Sequence, residues 1–123
     1  MDLSPKDISA AERYKLMIGS IVPRPIALVS TRSLGKVSNV APFSFFAGVG
    51  SNPMMLLFCP ANSPEGHEKD SLRNAKPQSE GGCGEFAVNI VPAAIAKKMA
   101  MAAEPLPYET SEFDLSGLTE ESC

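Results

Sequence analysis

The run Lys69-Asp70-Ser71 has the residue types of an anion-binding site at the start of a helix. Residues 69–76 can form two helical turns. The free amides of the first turn, the Ser71 hydroxyl and the Lys69 charge could together bind a phosphate. Alternatively, Asp70 or Ser71 only caps the helix, which is a common role for both residue types. The residues alone leave both interpretations open.

A second segment with binding chemistry is residues 39–44, Asn-Val-Ala-Pro-Phe-Ser, within a predicted strand. Pro42 cannot donate to a strand ladder, so it marks an edge or a β-bulge, and bulges often lie beside binding sites. The strand could present backbone groups, the Asn39 amide and the Ser44 hydroxyl to a ligand. The alternative is a bulged strand whose aromatic residues pack in the core. We favour Phe43 and Ser44 as site members.

The remaining reactive residue types form no catalytic constellation. His67, the single histidine, is in a polar loop, so it is expected at the surface and no nucleophile triad can be built around it. Three widely spaced cysteines and one histidine do not predict a zinc site, and Cys59 is expected to be a buried thiol. The Gly-rich stretches 48–50 and 81–84 lack the features of nucleotide-binding loops and are predicted as turns.

Short strands and helices must position these segments. Ser9 and Glu12 form a capping-box pattern, which predicts a helix over residues 10–18 that Gly19 ends. Gly35 is the predicted positive-φ residue of the first hairpin turn. The apolar run 54–59 predicts a strand buried on both faces. The predicted strands are 26–31, 37–46, 54–59 and 85–91, and the predicted helices are 10–18, 69–76 and 92–103.

The segment from residue 105 onward is predicted to be a loop, with Phe113, Leu115 and Leu118 as anchors. Met99 and Met101 are predicted to pack from the preceding helix. Residues 1–123 therefore form one mainly β domain with short helices, of the α+β class. Four strands cannot close a small barrel, and the last strand would keep one unpaired edge. The fold is expected to be incomplete at its C-terminal end.

Six stretches, in order and spacing from about residue 14 to residue 119, resemble the flavin reductase-like, FMN-binding split β-barrel family. They are residues 23–31 (PRPIALVST), 39–46 (NVAPFSFF), 52–53 (NP) with the apolar run, 69–74 (KDSLRN), 84–89 (GEFAVN) and 111–119 (SEFDLSGLT). Residues 78–83 form a longer and more Gly-rich link than is usual in the family. Family members are usually longer than this chain, so the resemblance also indicates C-terminal truncation.

The resemblance implies a homodimer that holds FMN near the subunit interface. The flavin ring would lie against the strand at 39–44, and its phosphate near residues 69–71. The implied cofactor-binding residues are Asn39, Ala41, Pro42, Phe43, Ser44, Lys69, Asp70 and Ser71.

The activity implied is that of a flavin reductase. Hydride would pass from transiently bound NAD(P)H to the flavin, and electrons to a second acceptor. No catalytic side chain is required, because the redox chemistry belongs to the cofactor. The alternative is a non-catalytic, truncated split-barrel domain acting as a flavin-binding or dimerisation module.

Composition narrows the classes of partner. The hydrophobic fraction of 44% and charged fraction of 20% are those of a globular chain, and the net charge is −3. Basic residues are scattered, with no concentrated basic face, so no nucleic-acid partner is predicted. Neither a signal peptide nor an apolar run of membrane-spanning length is present, which predicts no membrane contact and a cytoplasmic location.

Overall fold

The computed structural model describes residues 3–63 and 66–121. Its strands are β1 (Ala27–Arg32), β2 (Ser38–Phe43), β3 (Phe46–Ser51), β4 (Met54–Phe58) and β5 (Ala87–Ile90). Its α-helices are α1 (Ala10–Ser20), α2 (Asp70–Ala75), α3 (Ala96–Met101) and α4 (Glu112–Ser116), with 3-10 turns at Gln78–Glu80 and Ala93–Ile95. This is the predicted α+β architecture of antiparallel sheets and short helices.

Strand β1 is the centre of a three-stranded antiparallel sheet with the order β2-β1-β5. Val29 of β1 is opposite Ala41 of β2 and Val88 of β5. Strands β3 and β4 form a separate antiparallel hairpin. Within the described residues, the outer edge of β5 has no strand partner, as predicted. However, β5 pairs with β1, so the chain is not the simple meander that the sequence predicts.

The three-stranded sheet is covered on both faces because its strands alternate apolar side chains. One face buries Ala27, Val29 and Phe43 against aromatic residues that include Phe58 of the hairpin. The opposite face buries Leu28, Val40 and Ala102. Partly buried side chains that complete this second cluster are Val91, Ile95, Met99, Phe113 and Leu118. Helices α3 and α4 therefore pack on one face and the hairpin on the other.

The capping box of α1 is confirmed, since the Ser9 Oγ accepts from the Glu12 amide and the Glu12 carboxylate accepts from the Ser9 amide. The prediction that Gly19 ends this helix is wrong. The helix continues to Ser20, and Ile21 closes it in extended conformation, with its amide donating to the Met17 carbonyl. In the hairpin turn, the positive φ of 67° belongs to Lys36 and not to Gly35.

The predicted strand over residues 37–46 is two strands, and β3 was not predicted. The chain leaves the sheet at Ser44, whose Oγ accepts a hydrogen bond from the Arg24 Nε at 3.2 Å. The stretch 48–50, predicted as a turn, is part of β3 and contains a register irregularity between Gly48 and Gly50. Two closely spaced glycines resemble a turn in the sequence, but they can lie within a strand when the strand contains a β-bulge.

The prediction that residues 54–59 are buried on both faces is wrong. Met54 is 84% exposed, Leu56 and Leu57 are each 46% exposed, and Cys59 is also exposed. Phe58 is the member of this run that packs against the sheet, 5.2 Å from the Phe43 ring centroid. The continuous apolar run therefore predicts a strand at this position correctly, but it does not predict the burial of the strand's two faces.

Helix α4 was missed, because residues 105–123 were predicted to be a loop. Gly117 ends this helix with a φ of 64°, the left-handed conformation typical of a helix C-terminus. Phe113 and Leu118 pack against the core as predicted, whereas Leu115 is exposed. The predicted helix at 92–103 is a 3-10 turn followed by α3. Met99 of α3 packs against the core, but Met101 is 44% exposed.

Candidate functional site

A cavity of about 360 Å³ lies between β2, the start of α2 and the segment after α3. It brings together residues from the two segments to which the sequence assigns binding chemistry, 39–44 and 69–71. The lining residues are Asn39, Ala41, Pro42, Ser63, His67, Glu68, Lys69, Asp70, Ser71, Ala102, Ala103, Glu104, Pro105, Leu106 and Glu112. Six of the eight residues implied by the family resemblance are among them: Asn39, Ala41, Pro42, Lys69, Asp70 and Ser71.

The other two implied residues, Phe43 and Ser44, do not line this cavity. Phe43 is 5% exposed and belongs to the core on the hairpin face of the sheet. The Lys69 Nζ lies 5.7 Å from the Phe43 ring centroid, so the ring contacts the cavity only indirectly. The Ser44 hydroxyl bonds Arg24 and therefore anchors the turn before β3.

Helix α2 begins without a capping side chain. Lys69 is the N-cap residue in extended conformation, and among the described residues no side chain bonds the free amides. The Leu72 and Arg73 amides both donate to the Lys69 carbonyl. The alternative that Asp70 or Ser71 only caps this helix is therefore wrong.

The Ser71 hydroxyl and the Asn39 amide are part of a buried polar network. The Asn39 Oδ1 accepts from the Ser71 Oγ at 2.9 Å and from the Thr31 Oγ1 at 3.2 Å. The Thr31 Oγ1 accepts in turn from the Asn74 Nδ2 at 3.1 Å. All four residues are buried. Because the Ser71 proton is already donated within the protein, this hydroxyl is left as an acceptor.

Glu112 closes this network at the edge of β2. Its Oε2 accepts from the Asn39 Nδ2 at 2.7 Å and from the Val40 amide at 3.2 Å. Burial raises the pKa of Glu112 above its ordinary value, and the charge of Asp70 adds to this, while the hydrogen bonds oppose it. Burial also raises the pKa of Asp70, against the opposing charge of Arg73.

The orientation of the Val40 amide explains why strand β2 can contain a proline at position 42. The Val40 amide points away from β1 because it donates to Glu112. Residues two apart in a strand direct their backbone groups to the same side, so Pro42 also faces away from β1. Its missing N–H therefore removes no ladder bond, and of the two predicted alternatives, an edge or a bulge, Pro42 has the edge position. This edge offers carbonyl acceptors, and its Val40 donor is already occupied.

Cavity residues after α3 belong to a segment that is fixed at two points. The Arg73 guanidinium carbon lies 4.0 Å from the Tyr108 ring centroid. The Ser33 hydroxyl donates to the Glu109 carboxylate at 3.0 Å. These contacts hold the chain next to Pro105 and Leu106, which line the cavity with apolar surface.

The sequence profile of the flavin reductase like domain matches residues 18–122. The chain belongs to the flavin reductase-like family. This confirms the resemblance derived from the six stretches. A protein from Halalkalibacterium halodurans is 38% identical over 120 residues, which cover 98% of this chain and 55% of that protein. A Bacillus subtilis relative is 40% identical over 111 residues, covering 90% of this chain and 51% of the relative.

Solved structures agree with this flavin reductase-like assignment. Nitrilotriacetate monooxygenase component B from Bacillus cereus superimposes with a TM-score of 0.85 at 34% identity, covering 97% of this chain and 56% of that one. The 2-nitrobenzoate 2-nitroreductase of Pseudomonas fluorescens gives a TM-score of 0.74 at 26% identity, covering 97% and 53%. A Shewanella frigidimarina protein with a split barrel domain gives 0.71 at 20% identity, which supports the split-barrel fold.

The flavin reductase-like chain spans about half the length of the relatives that it matches. Within the described residues, no helix has the length and apolar character needed to cross a membrane.

Sequence reasoning missed three members of the site's network in this flavin reductase-like chain: Thr31, Asn74 and Glu112. A signal was present for Asn74, which follows Ser71 by three residues and so shares its helix face. Glu112 is 73 residues from Asn39, and no local pattern connects them. His67 is exposed at the cavity, in agreement with the surface position predicted for it.

Proposed function

We propose that this chain supplies the FMN site of an oxidoreductase of the flavin reductase type. NAD(P)H would bind transiently as the hydride donor, and a second acceptor would take the electrons. The observation that carries this proposal is the cavity itself, because residues implied from two separate segments line one space. Its volume is within the range of small-molecule sites. The cytoplasm is still the expected compartment.

The residues of the cavity fit a flavin in most respects. Ala41, Pro42, Pro105 and Leu106 provide apolar surface for a planar ring. The β2 edge offers carbonyl acceptors, which suit the N–H of a flavin's pyrimidine edge. Lys69 supplies a cation for the phosphate. The carboxylates around the cavity fit a phosphate less well.

A bound flavin would supply hydride and electron transfer, and the chain would bind and orient it. The β2 edge would hold the ring, and Lys69 with the free amides at the start of α2 would hold the phosphate, because the Ser71 hydroxyl has no proton left to donate. Two similar structures are, by name, a monooxygenase component and a nitroreductase, which supports redox chemistry. Phe43, outside the cavity, would act only through its contact with Lys69.

Titration of the purified chain with FMN tests this proposal. We expect saturable quenching of flavin fluorescence, followed by oxidation of NADH or NADPH when an acceptor is added. A chain that leaves the fluorescence of both FMN and riboflavin unchanged would overturn the proposed function.

A matched pair of lysine variants separates phosphate binding from ring binding. Lys69→Ala removes the only Lys or Arg among the described residues that line the cavity, whereas Lys97→Ala removes an exposed charge on α3. We expect Lys69→Ala to weaken FMN binding about tenfold, equivalent to about 1.4 kcal/mol. Riboflavin binding, which involves no phosphate, should change little in either variant. Equal losses in the two variants would contradict the assignment of Lys69.

The exposed hairpin favours a second candidate function, a non-catalytic flavin-binding or dimerisation module. Met54, Met55, Leu56 and Leu57 are all at least 46% exposed. A contiguous apolar surface of this kind often marks a protein interface. The proposed homodimer would use it in either case. Flavin binding without NAD(P)H oxidation would select the module over the reductase.

A further inference from the structure

Glu112 lies where helix α4, the β2 edge and the cavity meet. Its Oε2 accepts both from the Asn39 side chain and from the Val40 backbone. Strand β2 also contributes Ala41 and Pro42 to the cavity wall. Glu112 is 5% exposed and lines the same cavity, so a ligand entering there would approach its carboxyl group. It is outside the set of residues that the family resemblance implies.

We propose that Glu112 is a positioning residue for a phosphate-bearing flavin: it fixes the β2 edge, and its ionised form opposes entry of the phosphate. This proposal rests on the proposed function and adds a dependence on pH to it. The protonated carboxyl group can still accept both bonds at Oε2, because the proton occupies the other oxygen. Loss of the charge therefore does not require loss of the positioning.

The charged residues that line the cavity with Glu112 are mostly acidic, namely Glu68, Asp70 and Glu104 against Lys69. Asp70 on α2 raises the pKa of Glu112, in addition to the larger effect of burial. Glu68 is paired with Lys76, which leaves Lys69 as the cation that an anion would meet. A phosphate near Lys69 would add negative charge close to two carboxyl groups, so its binding should be linked to proton uptake. The titratable and charged groups on the surrounding elements are His67, Glu68, Lys69, Asp70, Arg73, Lys97, Lys98, Glu104, Tyr108, Glu109 and Asp114.

Two substitutions at residue 112 should act in opposite directions. Glu112→Gln keeps an acceptor oxygen and removes the charge, whereas Glu112→Ala removes both. Above pH 7, where the phosphate is largely dianionic, we expect Glu112→Gln to bind FMN about threefold more tightly than the unsubstituted chain, a change of about 0.7 kcal/mol. Glu112→Ala should bind FMN and riboflavin more weakly at every pH, because the β2 edge loses its anchor.

The matched control is Glu120→Gln. Glu120 also accepts hydrogen bonds from β2 and its neighbourhood, at Ser38 and Arg32, but it does not line the cavity. Glu120→Gln should leave the FMN dissociation constant and its pH dependence unchanged. In the unsubstituted chain and in the control, we expect FMN binding to weaken by about threefold in total as the pH rises and Glu112 loses its proton. In Glu112→Gln this weakening should be smaller.

Hydrogen exchange of the Val40 amide tests the positioning without any flavin. This amide should be protected in the unsubstituted chain and in Glu112→Gln, and should exchange rapidly in Glu112→Ala. Rapid exchange in the unsubstituted chain would overturn the positioning role. An identical pH profile of FMN binding in the unsubstituted chain and Glu112→Gln would overturn the charge effect while the proposed function stands. A chain that binds neither FMN nor riboflavin would overturn both.

Discussion

Asn39 bonds three side chains at once, and this limits what it can offer a ligand. Its oxygen accepts from Thr31 and Ser71, and its amide nitrogen donates to Glu112. One N–H of the amide is left for a flavin. The residue therefore supports the cavity from within the protein more than it contacts the contents of the cavity.

Removing Asn39 should be costly for stability. In Asn39→Ala, three buried polar groups lose a partner, and each unsatisfied group costs about 1–3 kcal/mol before water or rearrangement compensates. We expect a net loss of about 2–3 kcal/mol in the free energy of unfolding, measured by urea denaturation. The control is Asn89→Ala, where an exposed side chain makes one long bond of 3.4 Å to the Leu28 carbonyl. Similar losses in the two variants would contradict the network's importance.

Glu112 should also make stability depend on pH in the absence of ligand. Its pKa is raised in the folded chain, so the folded state binds more protons than the unfolded state in this range. The free energy of unfolding should therefore fall as the pH rises from about 4.5 through the raised value, and then level off. Denaturation of Glu112→Gln at several pH values should show a flatter profile. An unchanged profile would exclude Glu112 as the source.

At the scale of elements, the link from α2 to β5 depends on a glycine. A Cβ built on Gly82 would lie 2.1 Å from the Lys76 carbonyl oxygen and 2.8 Å from the Arg73 carbonyl oxygen. Backbone atoms cannot move aside as a side-chain end can. The Gly-rich composition of this link therefore has a packing reason at this position.

Gly82→Ala should lower the free energy of unfolding by at least about 2 kcal/mol, the range of substitutions that overpack a closed site. Gly19→Ala is the matched comparison, because Gly19 is in α1 and a Cβ there meets nothing within 4 Å. That variant should gain about 0.5–1 kcal/mol from helix propensity. Thermal denaturation of both variants would check the direction of each change in stability. A Gly82→Ala variant of unchanged stability would contradict the packing role of Gly82, because it would show that the link can move away from α2.

Local signals predicted most of the elements. The capping box of α1, the edge position of Pro42 and the start of α2 could all be recognised from residue type and spacing. The split of the strand at Ser44 could not, because it depends on Arg24 reaching across from another segment. Helix α4 could have been predicted from Gly117, since glycine commonly ends helices. It was missed because the helix is only five residues long. The family resemblance predicted that residues of 39–44 and 69–71 share one site. The contact of Glu112 with Asn39 could not be predicted, because no local sequence pattern connects two residues that are 73 positions apart.

At the scale of the whole molecule, the chain has a covered sheet and an uncovered hairpin. Both faces of the three-stranded sheet are packed, while β4 leaves four consecutive apolar side chains at least 46% exposed. Isolated apolar residues are normal at a surface, but a contiguous group is associated with protein contacts. The hairpin is thus the surface through which the proposed homodimer would form.

Charge placed on the hairpin should prevent this association. Met54 and Leu56 are on the same face of β4, so the double substitution Met54→Glu and Leu56→Glu puts two charges into one apolar surface. Sedimentation at increasing concentration should give masses above 13.0 kDa for the unsubstituted chain and close to 13.0 kDa for the double variant. Leu34→Glu, at an isolated exposed leucine in the β1–β2 turn, should leave the association unchanged. A chain that is monomeric at every concentration would contradict association through the hairpin, because burial of this surface is the driving force on which it depends.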